Sequence, residues 1–302
     1  MATAASNNPA THLRGYYLYL IPGALGFLLI VLIPQVANFV LSFTAWKGVG
    51  TPRWIGLQNY QRLLQDDQFW GSMQHTLLFI ISMTIIPVIL GVVLASLLFD
   101  YIRDQFGETL PSLFRAGFYL AQILPVTTAG VLWGWILSPV GVANMVLRAI
   151  GLGGLAQNWI GDATWALPAV SLMIVWIQVG YCLVVFMAGL SRIDPSLYEA
   201  AQLDGAGWWQ RLYNITVPML APEIFVVVLT TLIAALKVFA PVFVLTAGGP
   251  DNATLVPSYL TYYHFFTTQR VGYAAAIAVV QMALTVVLAV IFLRFQSRQQ
   301  AV

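Results

Sequence analysis

Charge is the scarcest commodity in this sequence. Asp, Glu, Lys and Arg make up only 8% of its 302 residues, against about 25% in an ordinary soluble domain. The net charge of +2 is unclustered, so nothing supports nucleic-acid binding. The single cysteine, Cys182, excludes an internal disulfide and any multi-cysteine metal site. Three histidines, His12, His75 and His264, form no HxxxH or HExxH pair. The phosphate-binding pattern GxxxxGK[ST] is missing, so the chain has no loop of its own for ATP. Asp100, Asp104 and Glu108 lie near one another without a histidine, which falls short of a catalytic constellation. Internal repeats and low-complexity linkers are absent too, and 1–302 reads as one domain.

Apolar residues fill the space. They are 60% of the chain, and mean hydropathy is +0.82, more than one soluble core can hide. Lipid must be the solvent for much of the length. About 20 apolar residues cross a bilayer as a helix, and six segments qualify: 16–44, 76–99, 116–137, 165–190, 220–246 and 273–295. None shows the short alternation of a barrel strand. The expected fold is an all-α membrane protein of six transmembrane helices. Its first apolar run is too long for a signal-peptide core and reads as the first span. Pro22, Pro34, Pro87, Pro125 and Pro241 fall inside spans and should kink them or mark unwound turns.

Arginines and lysines in the connections set orientation. Arg14, Arg103, Arg115, Arg192, Arg211, Arg294 and Arg298 fall on one side; Lys47, Arg53, Arg62, Arg148 and Arg270 fall on the other. The bias places both termini in the cytoplasm, in a multi-pass protein of the cell (inner or plasma) membrane. Tyr16, Tyr17 and Tyr19, and Trp46, Trp54 and Trp70, fit the two interfacial belts.

The connection 191–219 then becomes cytoplasmic, and it is unusually rich in signals. Asp194 before Pro195 offers an N-cap with proline at the first helical position; alternatively, Ser196 caps and Glu199 closes a capping box. Gly205 should end this helix in the left-handed region. A second helix follows, with Trp208, Trp209 and Tyr213 expected to pack back onto the spans. Ala200 and Ala201 would admit another protein's surface close to the backbone. Spacing alone leaves a plainer alternative, a surface loop whose tryptophans rest among headgroups.

The stretch EAAQLDGAGWWQRLYNITVP (Glu199 to Pro218) resembles the EAA loop of ABC importer permeases, through Glu199, Ala200, Ala201, Asp204, Gly205, Ala206, Tyr213, Ile215 and Pro218. Val217 and Tyr213 depart mildly from the family's usual leucine and phenylalanine, as does His75 from asparagine. YLIPGALGFLLIVLIP, LSFTAW, IGLQNY, ILPVTTAGVLWGWIL, VWIQVGY and FVLTAGGPDNAT extend the resemblance to nearly the whole chain. The last motif is similar to the first permease of maltose-type and glycerol-3-phosphate-type importers, a type I importer arrangement.

The resemblance implies that 191–219 is a coupling loop docking on an ATP-hydrolysing subunit, with Glu199 as polar anchor and Gly205 setting the exit angle. It implies two copies of that subunit, which use ATP and magnesium, a second permease forming a heterodimer, and an extracytoplasmic solute-binding protein. The chain would bind no cofactor and catalyse no reaction. Lys237, Phe239, Gln178 and Tyr181 are the implied path-lining candidates, for a sugar or sugar derivative. Thr246, Gly248, Gly249 and Pro250 should form an external turn facing the binding protein or the partner permease. A self-sufficient transporter or channel is the rival reading; it should carry paired intramembrane carboxylates or an inverted repeat, and neither is evident.

Overall fold

The computed structural model describes residues 19–102 and 109–299. Tyr16, Arg14, Arg103, Asp104 and Glu108 lie outside them. The described chain is mostly helical. We number α1 (Tyr19–Leu41), α2 (Gln58–Leu64), α3 (Asp67–Phe99), α4 (Thr109–Ile123), α5 (Val126–Ile136), α6 (Val142–Ala149), α7 (Ala163–Leu190), α8 (Pro195–Leu203), α9 (Trp208–Met219), α10 (Ala221–Leu236), α11 (Ala240–Leu245), α12 (257–267) and α13 (Val271–Gln299). A short antiparallel hairpin, β1 (Thr44–Ala45) and β2 (Arg53–Trp54), pairs Thr44 with Trp54 between α1 and α2.

Four helices, α1, α3, α7 and α13, are long and apolar enough to cross a membrane alone. Two more candidates are bent pairs: α4 and α5 meet at 101°, and α9 and α10 at 71°. The continuous span expected over 116–137 is therefore broken before Pro125, and that over 220–246 breaks again at 237–239, ahead of Pro241. The helix expected from 76 begins nine residues earlier, because the Asp66 carboxylate caps it by accepting from Gln68 N–H at 3.0 Å.

Pro34, Pro87 and Pro218 each sit two residues beyond a π-helical turn, at Leu28–Leu32, Ile81–Ile85 and Leu212–Thr216. The residue four before each proline is the centre of that turn. An α-helix would drive the ring into that carbonyl; the wider turn makes room for it.

The core gathers around α7. Val92, Ala95 and Leu98 of α3 meet Cys182, Leu183, Phe186 and Leu190, joined by Tyr198, Leu212, Leu220 and Val227. A second cluster holds Phe79, Met173, Ile174 and Val242, and a third Leu63, Phe69, Leu260 and Ile277. Gly180 lets α4 approach, since a Cβ there would lie 2.2 Å from the Phe118 carbonyl oxygen. Half of the most apolar window of α7 is buried, against none of α1. Exposed Phe27, Leu29, Ile30, Ile33 and Val36 make α1 untenable in water and ordinary in lipid.

Candidate coupling and translocation sites

Asp194 is the cap of α8: its Oδ1 accepts from Ser196 N–H at 2.9 Å, with Pro195 in the first turn. Those hydrogen bonds hold the Asp194 carboxyl below its ordinary value. Of the two caps open in the sequence, the Ser196–Glu199 box is not the one formed. The far end closes with two bonds, Gly205 N–H to Gln202 O at 3.0 Å and Ala206 N–H to Ala201 O at 2.9 Å. With Gly205 at φ 77°, this is the double-bonded left-handed stop. A nine-residue helix too short to persist alone is thus fixed at both ends.

One side chain roots it. Tyr198 is 6% exposed, sits in the α7 core, and shares a 3.0 Å hydrogen bond between its hydroxyl and Thr216 Oγ1 on α9. At the base, Arg192 after α7 forms an ion pair with Glu223 at the start of α10. Glu199, Ala200, Asp204 and Gly205 remain exposed, with Ala201 and Ala206 partly so. Leu203 is 90% exposed beside them, a knob the sequence reading passed over although its apolar side chain on an outward face was the signal.

The aromatics divide. Trp208 packs against the core, whereas Trp209 and Tyr213 are exposed and stack on each other at 6.3 Å. The expectation that all three pack inward fails for these two. Residues 208 and 212 share one face of α9, and 209 and 213 share the next.

Lys237 does not sit inside a continuous helix. It is the exposed C-cap residue of α10, at the break before α11, where the helix's terminal carbonyls favour a cation. It lines a groove of about 480 Å³ with Gln35, Ser258, Thr261, Gln281 and Thr285. Gln281 Nε2 donates at 2.7 Å to both Leu236 O and Ser258 Oγ, satisfying a carbonyl that the break sets free. Phe239 faces elsewhere, stacked on Phe243 at 5.2 Å and near Tyr262 at 5.5 Å. The Tyr181 hydroxyl lies 3.5 Å from Thr230 Oγ1 on α10, and Gln178 is half-buried one turn earlier on α7. Lys237 is the one of these four that lines the groove.

Thr246, Gly248, Gly249 and Pro250 do form a tight turn, bound to itself. Thr246 Oγ1 lies 2.7 Å from Thr254 Oγ1, which donates to Gly249 O at 3.0 Å. Gly248 is buried against Tyr259, leaving Gly249 and Pro250 at the surface.

Several known proteins are similar to this chain. A probable ABC transporter permease protein of Bacillus subtilis, YurN, is 36% identical over 92% of this chain and 94% of its own. The lactose transport system permease protein LacF of Rhizobium radiobacter is 30% identical over 99% of both. A solved bacterial ABC transporter involved in the import of the acidic polysaccharide alginate shares the fold, with a TM-score of 0.82 over 94% of this chain and 96% of that one at 24% identity. The family described as the binding-protein-dependent transport system inner membrane component matches residues 105–300. The chain belongs to the family of inner membrane components of binding-protein-dependent transport systems.

Proposed function

We propose that this chain is the sugar-importing permease subunit of an ATP-driven transporter, spanning the membrane six times and working by alternating access with both termini in the cytoplasm. The carrying observation is α8, a short helix capped at both ends, rooted through Tyr198, and offering Glu199, Ala200, Leu203 and Asp204 outward. Such a helix suits docking on a separate ATPase subunit, two copies of which would hydrolyse ATP with magnesium and drive this chain and a second permease. ATP shifts the permease only through contacts that differ between its two states, and a rigid α8 supplies them.

A sugar or sugar derivative is the cargo that best fits two strands of support. Relatives carry names that include lactose, starch degradation products and diacetylchitobiose. The Lys237 groove offers two amides, three hydroxyls and one ammonium, a donor and acceptor set matched to polyhydroxylated solutes. Phe239, Gln178 and Tyr181 would contact the solute in other conformations of the cycle. The Gly249–Pro250 surface would meet the binding protein or the partner permease.

Co-purification tests this. Wild-type chain extracted gently should bring an ATPase subunit and a second permease, and Glu199→Arg or Leu203→Glu should lose the ATPase while keeping the permease. A chain that emerges alone, or variants that keep the ATPase, would restore the self-sufficient transporter.

A further inference from the structure

We propose that the pocket between the hairpin, α2 and the start of α13 receives acidic side chains of the extracytoplasmic binding protein. This docking contact lies apart from the 246–250 turn and rests on the permease reading above.

The pocket, about 340 Å³, is lined by Lys47, Arg62 and Arg270 together with Gln58 and Gln269, and by no Asp or Glu. The nearby carboxylate of Asp66 does not line it: Oδ1 accepts from Gln68 N–H and Oδ2 accepts from the Tyr273 hydroxyl, and its single negative charge leaves the three cations in excess. Arg62 is held in place, with its guanidinium carbon 4.8 Å from the centre of the Tyr273 ring. Residues far apart in sequence meet here for structural reasons. Asn59 Nδ2 donates at 2.9 Å to Ser42 O and to Thr44 O, and Gly272 lies so close that a Cβ would fall 1.8 Å from Thr44 O.

Three cations around one cavity repel each other, and an arriving carboxylate relieves that repulsion. Two of them are arginines, whose planar forks suit carboxylates. The pocket lies at the end of the bundle remote from α8. Asp66 precedes α3, while Phe99 at the other end of α3 lies 6.5 Å from the Tyr198 ring. The 33 residues between span about 50 Å at ~1.5 Å each. With α8 cytoplasmic, the pocket opens outside, where the binding protein arrives. It shares no lining residue with the Lys237 groove, and its three cations are exposed, as suits a protein partner steered by charge more than a solute in transit.

The test uses the assembled transporter in lipid nanodiscs and the binding protein identified by co-purification, reading ATPase stimulation against binding-protein concentration. Lys47→Glu with Arg270→Glu should raise the half-saturating concentration about tenfold at low salt, leave the maximal rate unchanged, and converge on wild type at about 0.5 M salt. Lys47→Gln with Arg270→Gln should fall between. Identical half-saturation and salt dependence in variant and wild type overturn the contact and leave the permease reading standing. No stimulation of the wild type overturns both. Normal saturation, with selective loss of uronic-acid uptake when the same variants are placed in sealed proteoliposomes, assigns the carboxylate to the solute and overturns the docking contact.

Discussion

Tyr198→Phe removes one oxygen and should loosen α8 by a measurable amount. Thr216 is fully buried, and its Oγ1 has the Tyr198 hydroxyl as partner at 3.0 Å. Deleting that hydroxyl leaves a buried polar atom unsatisfied, at about 1–3 kcal/mol. At about 1.4 kcal/mol per factor of ten, local opening of α8 should become roughly five- to a hundredfold more frequent. Amide exchange at Asp204, Gly205 and Ala206 reads it, because those N–H groups bond to carbonyls of Ala200, Gln202 and Ala201; amides within α7 serve as the internal control. Thr216→Val should cost a similar amount. The double variant decides, since replacing both partners with apolar groups of like shape is close to neutral and should exchange within about threefold of wild type. If the two single effects simply add in the double variant, the side chains are uncoupled and Tyr198 does not root the helix in the way described.

Gly205→Ala places a Cβ at φ 77°, costing about 1–2 kcal/mol, and should speed protease cleavage after Asp204; Gly205→Asn should do so less. Arg192→Gln breaks the pair with Glu223, but Arg192 is 70% exposed, so the thermal midpoint should fall by under about 3 °C and the difference should vanish in high salt. His264, in α12 and outside the spanning segments, is held below its ordinary value of 6.5, chiefly by burial and also by Arg270 and Arg62, with Asp66 opposing. The unfolded chain therefore takes up the proton first, so stability is intact above pH 6.5 and declines as pH falls from there toward the folded value; His264→Gln should flatten that slope in thermal melts between about pH 7 and 5.

Apolar length made the membrane class and the positions of most spans legible, since a run such as 165–190 has no other stable home. The breaks were harder to place. Pro34 and Pro87 look like Pro125 in sequence, yet the first two ride on π turns and the third marks a 101° bend, and no local pattern separates them. In the connection 191–219, Asp194, Pro195 and Gly205 announced both ends of α8 because caps are local chemistry. The Tyr198–Thr216 bond, the outward turn of Trp209 and the exposure of Lys237 depend on contacts between distant segments. The same holds for the cationic pocket, whose three charges lie at positions 47, 62 and 270.

The π turns carry a geometric consequence for any length change. Each holds one residue more than the regular repeat accommodates, so each resets the helical phase by about 100°. Removing one residue from the regular turns between Ile86 and Gly91 would swing Val92, Ala95 and Leu98 away from Cys182 and Phe186 by that angle, whereas removing one from Ile81–Ile85 would restore an ordinary helix with those side chains still facing their partners. The Pro87 ring would then lose its space. A single-residue deletion in the regular helix thus acts as a twist of half a span against its neighbours, whereas one inside the π turn spares the facing of the span and costs chiefly the room for that ring.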